Sequence, residues 1–159
     1  MSERDPRHDF DFMHGRWVIK HRRLRERLVG CTAWDEFEST QTVRPMFGGA
    51  AQIDEIHWID EGEDRYGCTV RMYDPVGDQW SMNWADSMTG RFFPPMIGNF
   101  RDGVGDFGGT DTVAGKIVLS RFVWSDITAD SARWHQAFSD DGGLTWEINW
   151  YMDSFRVPE

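Results

Sequence analysis

Residues 116–125 read KIVLSRFVWS, residues 131–138 read SARWHQAF, and residues 145–157 read TWEINWYMDSFRV. In the first run Val118, Ser120, Phe122 and Trp124 fall on one side of an extended chain. In the second, Ala132, Trp134, Gln136 and Phe138 oppose Arg133 and His135. In the third, Trp146, Ile148, Trp150 and Met152 oppose Glu147, Asn149 and Asp153. Large rings recurring at every second residue, against polar partners, have the period of a strand with one dry face. Residues 79–86, QWSMNWAD, repeat the pattern, with Trp80, Met82 and Trp84 set against Gln79, Ser81 and Asn83.

Working outward, further runs rich in Val, Ile, Thr and aromatic residues span 16–24, 33–45, 52–59 and 65–73. Weaker ones span 94–101 and 105–110, where the glycines predict bulges or a twisted edge. Turn-forming residues such as Asp74-Pro75-Val76-Gly77 separate the runs. The reading is nine or ten strands with short links, hence antiparallel neighbours. So many strands in so short a chain favour closure into an up-and-down barrel, which removes exposed edges. The only helical signal is Asp5 to His14, with Asp5 as cap and Pro6 at the first helical position. Phe10 and Met13 lie three apart there, as a short plug or lid requires. No linker divides residues 1–159, so one domain is expected.

Nine Trp and eleven Phe supply the burial capacity of a chain only 40% hydrophobic, since each such ring buries roughly 150–250 Å². The net charge of −10 argues against nucleic acid or an anionic membrane as partner. The first ten residues carry no signal-peptide core, and a cytoplasmic location is expected. The basic run from Lys20 to Arg27, with Arg22, Arg23 and Arg25, is either a solvated face or a rim that recruits anions. Cys31 and Cys68 have neither metal spacing nor a disulfide framework and read as reduced, partly buried thiols.

Two local motifs bear on the fold. Ser139-Asp-Asp-Gly-Gly-Leu-Thr-Trp146 resembles the Asp-box hairpin of sialidase-like propellers. It occurs once, where a propeller repeats it in every blade, and is read as a structural hairpin. Gly15-Arg16-Trp17 resembles the Gly-x-Trp signature of lipocalins. The order Phe10-Asp-Phe-Met-His-Gly-Arg-Trp17, Gly48-Gly49, Asp54-Glu55, Tyr73-Asp-Pro75, Trp80, Trp84-Ala-Asp86, Gly90 and Gly98-x-Phe100 resembles a bacterial family of unknown function. The resemblance covers nearly the whole chain and implies a calycin (lipocalin-like) barrel with an interior cavity. It implies no reaction, cofactor or catalytic residue.

An interior lined by these stripes is the wall of a small-molecule pocket or a filled core. In the first case Trp80, Trp84, Trp124, Trp134 and Trp150 bind an apolar or aromatic ligand, with Gln136, Glu55 and Asp86 as polar anchors. In an enzyme of the same shape, a cofactor-independent lyase, isomerase or cyclase, Asp86 or the Glu55/His57 pair carries the proton. Each group also has a plain structural role open to it: Asp86 bonding turn amides, and Glu55 with His57 as a surface pair. Asp54 takes the face opposite Glu55 and His57. Arg71 and Arg121 are expected to point outward, because their apolar neighbours hold the opposite phase. Haem would need an axial His facing an apolar cavity, and His135 has the wrong phase. No cofactor and no metal site are expected. A solidly packed module, with a homodimer as its simplest association, is the third reading.

Overall fold

The computed structural model describes residues 3–159. Ten strands follow one another: β1 (Gly15–Leu24), β2 (Trp34–Met46), β3 (Ala51–Asp60), β4 (Glu63–Asp74), β5 (Gln79–Asp86), β6 (Met96–Arg101), β7 (Val104–Val113), β8 (Lys116–Ser125), β9 (Ser131–Ser139) and β10 (Glu147–Arg156). Each pairs antiparallel with its sequence neighbours, and β1 pairs with β10, so the sheet closes into an up-and-down barrel of the calycin, lipocalin-like kind. The glycine-rich stretch supplies β6 and β7, full members of the ring rather than an edge.

Short hairpins fix the register. Glu61-Gly62, Asp102-Gly103 and Ala114-Gly115 each form a two-residue connection with positive φ at both positions, the primed turn whose twist matches that of the flanking strands. The Asp-box segment makes the β9–β10 turn. The Ser139 hydroxyl donates to Asp141 Oδ1 at 2.8 Å, and Asp141 accepts from the Thr145 backbone at 2.9 Å and from its hydroxyl. These donors hold the Asp141 carboxyl down at about 2.

The weakest seam lies between β5 and β6. Only Trp80, Ser81 and Met82 pair directly across it, with Gly98, Ile97 and Met96. Beyond Met82 a single bridge joins Ala85 to Phe92, so the connection through residues 87–95 swings over one end of the barrel.

The N-terminal segment closes the other end. It consists of two 3-10 turns, Pro6–His8 and Asp11–Met13, instead of one continuous helix. Asp5 caps the first by accepting from the Arg7 amide, with Pro6 in the first position. The break lets Phe10 and Met13 both drop fully into the barrel. Phe10 meets Trp80 and Phe100 edge-to-face at 5.0 and 4.9 Å. Trp17 is fully buried beside them and donates to the Met13 carbonyl. The Arg156 guanidinium lies 4.3 Å over the Trp17 ring and donates to the carbonyls of Phe12, His14 and Ala129, which ties the last strand to the plug.

Two phase expectations are corrected. A bulge between Ile148 and Trp150 inserts one residue into β10 and so reverses the alternation. Glu147 stands opposite Phe138 while Ile148 stands opposite Ala137; Trp146 is exposed and Asn149 is fully buried. The four-residue stripe from Trp146 to Met152 is therefore interrupted. Arg71 points inward and is 3% exposed, whereas Met72 is 39% exposed. Its apolar neighbours misled because a barrel's outer face tolerates scattered hydrophobes. Arg121 does face outward, paired with Asp106 at 2.6 Å. Among the described residues, no helix is long and apolar enough to cross a membrane.

Candidate functional site

Between the plug and the open end the barrel is not filled. An inner chamber of about 100 Å³ is walled by Trp84, Phe122, Trp124, Trp134, Trp150 and Met152, among others. It shares Met82, Trp84, Phe122, Gln136 and Trp150 with an outer chamber of about 440 Å³ that reaches the 87–95 connection. The two form one funnel, mostly aromatic within, with Arg23, Arg27, Asp86 and Asp111 around its outer part, and opening beside the weak β5–β6 seam.

Inward rings from neighbouring strands build the wall. Phe122 meets Trp134 at 4.9 Å, and Trp134 meets Trp150 edge-to-face at 5.8 Å. Trp84 lies across β4 at Gly67, where a Cβ would stand 2.0 Å from the indole. A glycine at 67 is thus what lets the ring lie flat against the sheet.

A polar cluster sits in this aromatic wall. Asp54 on β3 and Arg71 on β4 form an ion pair at 2.7 Å, both almost fully buried. Asp54 also accepts from the Thr69 amide at 2.8 Å and from Gln41 Nε2 at 3.0 Å. Arg71 donates to Gln52 Oε1 at 3.0 Å, and Gln52 donates to the Phe10 carbonyl, so the cluster reaches the plug. Two charges leave water at a cost of several kcal/mol each, offset only when geometry and further hydrogen bonds are good. Asp54 meets that condition with three donors. Arg71 Nε, Gln41 Oε1 and Trp124 Nε1 remain unpartnered and buried.

His21 on β1, two strands from Asp54 around the ring, is a further buried titratable group. Trp150 Nε1 donates to its Nδ1 at 3.0 Å, which leaves the proton on Nε2 facing the Ser39 hydroxyl at 2.7 Å. Burial, reinforced by the charge of Arg23, depresses its pKa to about 3, so the ring is neutral at ordinary pH. Both nitrogens are engaged, and the ring stacks on Phe37 at 4.3 Å.

The residues singled out from sequence divide. Trp84, Trp124, Trp134, Trp150 and Gln136 converge on the chamber, with Gln136 Nε2 donating to Asn149 Oδ1 at 2.8 Å. Trp80 does not join them. It is fully buried under the plug, with its indole donating to the Pro6 carbonyl.

Glu55 is exposed on the outer face. His57 shares that face, with Nε2 2.7 Å from Asp64 and its ring stacked on Tyr66. The reason is strand phase: Asp54, Ile56 and Trp58 take the interior. Asp86 lies at the rim of the outer chamber, where Oδ1 accepts from the Thr89 amide at 2.8 Å and its hydroxyl at 2.9 Å.

Asp54, Arg71, Gln41 and His21 were not identified as site residues from sequence. A signal existed for the pair: the Glu61-Gly62 turn sets β3 against β4 so that Asp54 opposes Thr69 and Gln52 opposes Arg71. Asp54 and Arg71 are then diagonal neighbours on one face, within reach of long side chains.

The basic run also divides. Arg22 and Arg25 face outward beside Glu36 and Asp35, while Arg23 and Arg27 line the outer chamber. Cys31 and Cys68 are free and half-buried. Among the described residues, no three His, Cys, Asp or Glu gather as a metal site would require.

No family description and no curated protein matches the chain. Among solved structures it is similar to the S-type phycobiliprotein lyase CPES from Guillardia theta, with a TM-score of 0.55 at 10% identity, over 94% of this chain and 91% of that one. The likeness extends over nearly the full length of both barrels, and what it establishes is the shared fold.

Proposed function

We propose that the protein binds a small, mostly aromatic molecule inside the barrel. The observation that carries this reading is the funnel: five inward aromatic and amide side chains predicted from alternation surround open space instead of interdigitating. Ligand pockets are typically concave, apolar and provided with a few placed polar groups, and this one has Gln136 together with the Asp54–Arg71 cluster. A structural neighbour of this fold is a phycobiliprotein lyase, which is consistent with a small molecule held in such a barrel. The cytoplasmic location and the kinship with a bacterial family of unknown function belong to the same proposal.

Titration with N-phenyl-1-naphthylamine, an uncharged probe that brightens in apolar surroundings, tests it. One probe is expected per barrel. The substitution Ser154→Phe, at a small inward residue of the chamber wall, is expected to weaken binding about tenfold or more, with circular dichroism confirming the barrel. Absence of saturable binding to the unaltered protein, or equal binding to both proteins, sinks the reading.

A further inference from the structure

Three buried polar atoms, on side chains that line the inner chamber, have no hydrogen-bond partner in the protein: Arg71 Nε, Trp124 Nε1 and Gln41 Oε1. Their residues are 3%, 5% and 6% exposed, so bulk water does not serve them. They are close together. Gln41 Nε2 and Arg71 Nη2 meet on the same Asp54 oxygen, at 3.0 and 2.7 Å, and the Arg71 guanidinium carbon lies 5.8 Å from the Trp124 ring centre. The indoles of Trp17, Trp80 and Trp150, by contrast, all donate to defined acceptors. A buried polar group left unpaired costs about 1–3 kcal/mol, and three in one cluster lining a cavity mark where a ligand would recover that cost.

The chemistry of the ligand follows from inventory and charge. Two free donors call for an acceptor oxygen, and one free acceptor calls for an N–H. Asp54 already neutralises Arg71, so a carboxylate arriving here would leave one buried negative charge without compensation. We infer that the inner chamber recognises the uncharged carboxamide-like head of an aromatic ligand. Its carbonyl accepts from Arg71 Nε and Trp124 Nε1, its N–H donates to Gln41 Oε1, and its ring lies against Trp84 and Trp134. This rests on the reading that the barrel holds a small aromatic molecule, and it adds which end enters first and what that end carries.

Displacement of N-phenyl-1-naphthylamine by three naphthalenes of similar shape provides the test. 2-Naphthamide carries both hydrogen-bonding functions, 2-isopropylnaphthalene carries neither, and 2-naphthoate carries a charge. The amide is expected to displace the probe at about tenfold lower concentration than either of the others, because a site with buried hydrogen-bonding groups rejects analogues that leave them unpaired. Equal or tighter binding of the hydrocarbon or the carboxylate overturns the inference.

Trp124→Phe removes the indole N–H, and Gln41→Met removes the amide oxygen. Each is expected to lower the ratio of amide to hydrocarbon affinity several-fold, a ratio read within each variant. A ratio unchanged in both variants places the amide elsewhere and also overturns the inference. If the probe binds and the amide shows no advantage, only the head assignment fails. If neither the probe nor any naphthalene binds, the ligand-binding reading fails with it.

Discussion

The two ends of the barrel use the same residue types to opposite effect. At the closed end Phe10, Trp80, Phe100 and Phe107 include edge-to-face ring contacts, Trp17 lies under the Arg156 guanidinium, and both indoles donate to carbonyls of the N-terminal segment. Toward the open end Trp84, Trp134 and Trp150 stand around a funnel, with Trp124 at its base edge-on to Phe10 and Phe12. The difference lies in what reaches the rings. A short segment with a break at Asp9-Phe10 delivers two apolar side chains into one end, whereas the 87–95 connection passes over the other and only borders its chamber. Aromatic composition is therefore no guide to filling; the presence or absence of a plug decides it.

The largest expected effect breaks that comparison directly. Trp17→Ala removes a fully enclosed ring and is expected to cost about 3–5 kcal/mol, measured by chemical denaturation. Trp134→Ala deletes the same atoms where one side already borders open space, and should cost only about 1–2 kcal/mol while weakening probe binding. Equal costs would mean the two ends are packed alike.

The polar cluster sharpens the boundary between the regions. Arg71→Met leaves Asp54 buried without its counter-charge and should destabilise by about 3 kcal/mol. The double substitution Asp54→Leu with Arg71→Met should recover most of that loss, the expected signature of a pair kept for something other than stability. A double variant as unstable as the single one would make the cluster a structural necessity.

His21 adds a pH response of its own. Its pKa is held at about 3 in the folded state, below the ordinary 6.5 of the unfolded chain, so the unfolded state binds more protons between those values. Stability contributed by the neutral ring is complete above about pH 6.5 and is lost as pH falls toward 3, at up to about 1.4 kcal/mol per pH unit. Unfolding midpoints followed from pH 7 to pH 4 should fall less steeply for His21→Gln than for the unaltered protein. Parallel curves would detach the acid response from this residue.

The smallest effect lies outside both regions. Arg121→Ala breaks an exposed pair with Asp106 and is expected to change stability by no more than about 1 kcal/mol and ligand affinity not at all. A clear loss of affinity would show that the outer surface of β7 and β8 communicates with the chamber.

Most of the ring was legible because each strand declares itself locally. Alternation in 79–86, 116–125 and 131–138 marked both the strands and their inner faces, and Trp84, Trp124, Trp134 and Gln136 followed. It failed where one residue changes phase. The bulge before Trp150 cannot be read from 145–157, since Asn149 is an extra residue only relative to the register of β9, which pairs Ile148 with Ala137 and Trp150 with Gln136. It also failed for Arg71, because the rule that charge faces water is suspended when a counter-charge stands on the adjacent strand.

By itself, then, the sequence determined nine or ten strands, their antiparallel order and the aromatic character of the interior, all properties of residues within ten positions of one another. Tertiary structure alone decided that Trp80 belongs to the plug and Trp84 to the chamber, although they lie four residues apart on one face of β5. It also decided that Asp54, and neither Glu55 nor His57, confronts the cavity with Arg71 and Gln41. Those outcomes depend on which depth of a closed barrel each residue reaches and what is carried there from a distant segment, and both are set only when β1 pairs with β10.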